Sequence, residues 1–172
     1  MGDRTYCTLT ICGIIPSAQH AQKIYEAIKN CYPDISEQKV KEIFQSKGEI
    51  QQNYGFEEVN YGQIDDEIKD ALVEAGLSFC WDWGMGGDYI SGSLIYDARD
   101  GYLSEENTVD DLPFLTLSEF DNEVRKDIIL DFVKRSREIC KANLYIARSA
   151  HEQIEIQKNS KTNLLPPLNP ES

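Results

Sequence analysis

Two alternating runs separated by a glycine cluster fix the centre of this chain. In Leu77–Trp83, the residues Leu77, Phe79, Trp81 and Trp83 fall on one side of an extended backbone. Ser78, Cys80 and Asp82 fall on the other, because successive side chains of a strand point to opposite faces. Gly84-Met85-Gly86-Gly87-Asp88 follows, and Tyr89–Asp97 then alternates again. Two such runs around a glycine-rich connection predict a β-hairpin, with a turn that uses positive φ. A half-buried antiparallel sheet therefore has to exist, and the rest of the chain must cover its apolar side.

The flanking segments supply that cover. Thr5–Ile15 alternates Cys7, Leu9, Ile11 and Gly13 against Tyr6, Thr8 and Thr10, which predicts another strand. Pro16 ends it, and Ser17 is placed to cap a helix running to about Asn30, with Ala21, Ile24, Ile28 and Cys31 on one stripe. A shorter helix is expected from Ser36 to Gly48. Phe56, Val59 and Tyr61 mark an irregular strand. Asp65 and Asp66 bring negative charge to a helix start, and Ile68, Ala71, Leu72 and Ala75 form its inner stripe before Gly76.

Beyond the hairpin, Asp100–Leu117 reads as a long acidic connection containing Pro113. Ser118 with Asp121 resembles a capping box, and a long amphipathic helix follows. Its expected inward residues are Phe120, Val124, Ile128, Phe132, Val133, Ile139 and Cys140, and Arg125, Lys126, Lys134, Arg135, Arg137 and Lys141 form its outer face. Residues 143–157 are consistent with either a helical extension or a last strand. Pro166, Pro167 and Pro170 mark 159–172 as a disordered tail. The expected architecture is one α+β domain over 1–158. It has a small, mostly antiparallel sheet, helices packed on one face, and the long amphipathic C-terminal helix as the largest.

Charge is as segregated as hydropathy. Glu49–Glu123 holds 19 of the 30 acidic residues and only two bases, Lys69 and Arg99, within a chain of net charge −13. Apolar residues at 41% are enough for a core at 172 residues, so the acidity is not that of a disordered chain. Such a surface repels nucleic acid and anionic membranes and attracts basic partners. Direct nucleic-acid binding and membrane binding are disfavoured. No apolar run is long enough for a spanning helix, Thr8 and Thr10 interrupt the one stretch that imitates a secretory signal, and Tyr6 spoils a myristoylation motif. Five scattered cysteines fit buried small side chains in a reducing cytoplasm.

No residue pattern carries catalysis. The glycine cluster lacks the following helix and the lysine of a phosphate loop, and Asp82 and Asp88 flank it. The stretch around Asp97, Asp100 and Gly101 fails the EF-hand spacing. His20 and His151 have no ligand-spaced neighbour. No cofactor, metal site or catalytic residue is expected. Adjacent carboxylate pairs do not converge on either a strand or a helix.

The expected function is that of an acidic module occupying the basic surface of another protein, one that itself binds nucleic acid. Asp65, Asp66, Glu67, Asp70, Asp97, Asp100, Glu105, Glu106, Asp110 and Asp111 would imitate phosphates, and the face shared by Trp81 and Trp83 either packs the core or, where exposed, supplies an apolar anchor. Phage and mobile-element inhibitors of the anti-CRISPR and anti-restriction type act this way, and the resemblance is in size and charge alone. The alternatives are an oligomeric structural or regulatory subunit, in which the acidic middle of one copy meets the basic 125–141 helix of another, and a small enzyme using carboxylates with a divalent cation.

Overall fold

The computed structural model describes residues 4–31, 49–50, 53–60, 62–86, 90–109 and 112–147. The helix expected over 36–47, Asp110, Asp111, His151 and the 159–172 tail lie outside the described residues. The fold is α+β, as the alternating runs require.

The sheet is organised around its longest strand, β1 (Arg4–Ile15). One side of β1 pairs antiparallel with β4 (Ser78–Trp83), Leu9 lying opposite Trp81 and Ile11 opposite Phe79. Next come β5 (Gly92–Asp97), β6 (Tyr102–Val109) and the two-residue β7 (Leu112–Pro113). The other side of β1 is shared. Its first half pairs with β3 (Asn53–Asn60), and Gly13–Ile15 pairs in parallel with β8 (Leu144–Ile146), which is bordered by β2 (Glu49–Ile50). The change of partner is made at Gly13, which has a φ of 124° and donates its N–H to the Asn143 carbonyl at 3.1 Å. A side chain there would also meet Leu77 Cδ2 at 3.1 Å.

The helices are built as their sequences direct. In α1 (Ala18–Cys31), the Ser17 hydroxyl accepts from the His20 N–H and caps the first turn. In α2 (Asp66–Glu74), Asp65 accepts from the Glu67 N–H at 2.9 Å. Gly76, at φ 68°, closes α2 with bonds from Gly76 N–H to Val73 and from Leu77 N–H to Leu72, a Schellman arrangement. In α3 (Glu123–Lys141) the cap is Asn122, accepting from Arg125 N–H, in place of the expected Ser118 box.

Helices cover both faces of the sheet, not one. Alternation sends Cys7, Leu9, Ile11, Phe79 and Trp81 to one face, where they pack with Ile24, Ile28, Ile68 and Leu72 of α1 and α2. Cys12, Cys80 and Ile95 go to the other, beneath Phe132 and Ile139 of α3. The correction has a simple origin. A sheet with apolar residues on both faces needs a second cover, and α3 buries Ile129, Phe132 and Ile139 to provide it. Its expected inward residues Phe120, Val124 and Ile128 are exposed, and so is Cys140.

The Asp100–Leu117 connection is also corrected. Its Tyr102–Val109 stretch is β6, which pairs residue for residue with β5 from Asp97–Tyr102 to Gly92–Asn107. The Gly84 connection does form the expected hairpin, with β4 and β5 in register from Phe79–Tyr96 to Trp83–Gly92. Gly84 and Gly86 lie outside the positive-φ region that was expected of the turn.

Candidate functional site

The acidic residues of the sheet are divided by strand alternation. On β6, the register opposite β5 puts Glu106 beside Ser93 on the α3 face and turns Glu105 to the opposite side, where it is exposed. On β5, Asp97 points under α3 and its side chain is fully buried. The expected row of carboxylates is therefore not one surface.

The buried ones are paired within the chain. Arg125 grips Glu106 through both terminal nitrogens, at 2.6 and 2.5 Å, and also reaches Glu119 at 3.0 Å. Asp97 receives Arg99 through Nε and Nη2, and Arg135 Nη1 at 2.8 Å. Arg135 goes on to hold both oxygens of Asp100 at 2.9 Å and stacks its guanidinium over the Tyr102 ring at 4.3 Å. Arg99 bridges onward to Glu138 of α3. Two-pronged guanidinium–carboxylate pairs are the strongest of the charged hydrogen bonds. The Arg99 guanidinium, with help from Arg135, holds the Asp97 carboxyl down from 3.8 to about 2 despite burial. Arg135 likewise holds the exposed Asp100 below the usual carboxylate range.

Arg99, Arg125 and Arg135 are the residues that reading the sequence missed. Arg125 and Arg135 were placed on an outward basic face, yet they turn toward the sheet. A signal for this exists in β6. Tyr102, Ser104, Glu106 and Thr108 alternate, and a strand that turns Glu106 inward needs a cation opposite.

Of the two readings of the tryptophan face, Trp81 takes the core one. Trp81 is buried against Phe56 and donates its indole N–H to the Gly62 carbonyl at 2.7 Å. Trp83 is half-buried, wedged between Gly62 and Gly92, and donates to the Ile90 carbonyl at 3.0 Å. Exposed apolar side chains occur instead at Leu117, Phe120, Val124 and Ile128.

Among the described residues that face solvent, one run of acids lies at the start of and along α2, and others such as Asp100, Glu105 and Glu123 lie elsewhere. Asp65, Asp66, Glu67, Asp70 and Glu74 are all exposed, while Ile68, Ala71 and Leu72 are buried behind them. Asp66 pairs with Lys69 at 2.5 Å, and Glu74 pairs with Lys23 of α1. These two carboxyls are held below the usual range by their lysines. Asp65 is occupied as the cap.

Among the described residues no group of three or more histidines, cysteines, aspartates or glutamates is placed to hold a metal ion. No helix among them is long and apolar enough to cross a membrane. No family model matches this chain, and no curated protein and no solved structure matches it either.

Proposed function

We propose that the protein is an acidic binding module that docks the exposed α2 face on a basic surface of another protein. One observation carries this reading. The arginines that could balance the acidic middle of the chain are turned inward onto Asp97, Asp100 and Glu106, and the carboxylates of α2 stay in solvent. Glu67 and Asp70 are then the residues through which a cationic partner is attracted and steered. A nucleic-acid-binding protein of the cytoplasm is the natural class of partner, since its Lys and Arg already await a row of anions. The narrower reading, a nucleic-acid-mimicking inhibitor of the anti-CRISPR or anti-restriction type, rests on the same charge and loses Asp97 and Glu106 from its row. Self-assembly through the acidic middle and the basic helix is less favoured, because those charges meet inside one chain.

The test is an affinity capture from host lysate at about 0.1 M and about 0.5 M salt, across which exposed charge pairs are increasingly screened. It is run with the wild type and with E67K/D70K, which spares the Asp65 cap. Capture of a nucleic-acid-binding protein by the wild type, lost at high salt and lost in the variant, is the expected result. A partner held equally at both salts, or equally by the variant, would overturn the reading.

A further inference from the structure

Cys80 sits in the middle of β4, fully buried beneath α3. Its sulfur lies 3.2 Å from the Ser93 hydroxyl, 3.4 Å from Asp82 Oδ1 and 3.9 Å from the Ser136 hydroxyl. Ser136 and Cys140 are one helical turn apart, so α3 presents both over the same strand position. Each thiol perturbs the other, Cys80 being pushed up and Cys140 drawn down, as neighbours across this strand–helix contact do. The pair is asymmetric, with Cys140 open to solvent and Cys80 closed to it. An accessible thiol beside a buried second thiol is the arrangement in which the outer sulfur meets an oxidant and the inner one resolves the product.

We propose that Cys140 and Cys80 form an oxidisable dithiol, in which Cys140 reacts with a hydroperoxide and Cys80 closes a disulfide that fastens α3 to β4. In the first step the Cys140 thiolate attacks the outer peroxide oxygen. An S–O bond forms, the O–O bond breaks, and the departing oxygen takes a proton and leaves as water or an alcohol. In the second step the Cys80 sulfur attacks the Cys140 sulfenic acid. The S–S bond forms, the S–O bond breaks, and the released hydroxide takes the Cys80 proton as water. Two thiols lose two electrons, and the peroxide gains them.

The surroundings favour this order of roles. The Cys80 thiol and the Ser136 hydroxyl hold Cys140 below the usual thiol range, against burial and the Asp82 charge. Burial pushes Cys7 up to about 12, and the same cause, with Asp65 beside it, takes Cys31 up to about 12. Cys12, on the same side of the sheet, is also pushed up, by burial first and the Asp97 charge next. The Cys80 thiol donates toward Asp82 Oδ1 at 3.4 Å. When Cys140 becomes a sulfenic acid, the Asp82 carboxylate can take that proton first and pass it to the departing hydroxide.

The test uses the full reduced chain and hydrogen peroxide at a small molar excess. Free thiols are counted by alkylation, the cross-link is mapped by non-reducing peptide mass spectrometry, and melting is recorded before and after dithiothreitol. The wild type should fall from five thiols to three, link Cys80 to Cys140, and melt about 5–10 °C higher until reduced, since the bond closes a loop of about 60 residues. C140S should keep all its thiols and show no shift. C80S should stop at a sulfenic acid on Cys140, trapped by dimedone. A map joining Cys12 to Cys140, a Cys140 that passes to sulfinic acid without a cross-link, or a thiol count that stays at five would overturn the proposal.

Discussion

Arg125 and Glu106 meet across the gap between the first turn of α3 and the far end of β6, joined by two parallel hydrogen bonds of 2.6 and 2.5 Å. Glu106 is 5% exposed, so this pair is a fastening inside the fold and not a surface ornament. The partners are 19 residues apart in sequence. Together with Arg135 on Asp97, the pair lets a sheet face that mixes apolar with polar residues be covered by a helix with only three buried apolar residues, Ile129, Phe132 and Ile139.

Breaking that fastening from one side should be costly. Removing Arg125 strands a buried carboxylate, and E106Q leaves the guanidinium without its counter-charge. Either R125A or E106Q should lower stability by about 2–4 kcal/mol in urea denaturation. Replacing both, as R125M/E106L, should recover most of the loss, because an apolar pair of similar volume escapes the desolvation cost. A double variant as unstable as the worse single would mean that the geometry, not the charge balance, holds α3 down.

Asp97 predicts the acid limb of stability. Its carboxyl sits near 2 in the folded chain, mainly through Arg99, against an ordinary value of 3.8. A carboxyl depressed by folding stabilises the fold above the unfolded value and loses that contribution as pH falls through the folded one. The wild type should therefore lose stability progressively between about pH 4 and about pH 2. D97N should be less stable at pH 7 and should show a flatter slope in that window by circular dichroism. An unchanged slope would assign the acid limb to other carboxylates.

How much of this was legible differs by element. The β4–β5 hairpin, the Ser17 and Asp65 caps and the Gly76 stop could be read directly, because periodicity, capping chemistry and apolar faces agree there. β6 was not, because its inward residues Tyr102, Ser104, Glu106 and Thr108 carry almost no hydropathy signal, and the cations that make them tolerable come from a distant helix. β8 is three residues long and pairs in parallel with a strand far away in sequence, so local pattern has nothing to report. Of the candidate site, the exposure of Asp65, Asp66, Glu67 and Asp70 follows from the apolar stripe Ile68, Ala71 and Leu72 that turns the other side of α2 inward. The inward use of Asp97 and Glu106 depended on tertiary partners that composition does not display.

Trp83 and Gly92 are directly paired across the hairpin, and the glycine is what makes room for the indole. A Cβ at Gly92 would lie 2.2 Å from Trp83 Cζ2. G92A should cost about 1–3 kcal/mol through overpacking. The loss should shrink in W83L/G92A relative to W83L, a coupling that a double-mutant cycle reads directly. Additive losses would show that Gly92 serves its backbone and not the ring.

The phase of α3 gives the sharpest contrast between what the sequence imitates and what the fold uses. The buried stripe runs Arg125, Ile129, Phe132, Ser136 and Ile139, with a cation and a hydroxyl in apolar positions. The neighbouring stripe, Phe120, Val124 and Ile128, has the purer apolar spacing and is exposed, Lys126 resting over the Phe120 ring at 5.2 Å. F132A should therefore cost about 3–5 kcal/mol, as deletion of a fully buried ring does. V124S/I128S should stay within about 0.5 kcal/mol per site, the range of surface substitutions. Equal losses in the two variants would mean that the exposed stripe is covered in solution. A concentration-dependent melting temperature of the wild type would then identify a second copy of the chain as the cover.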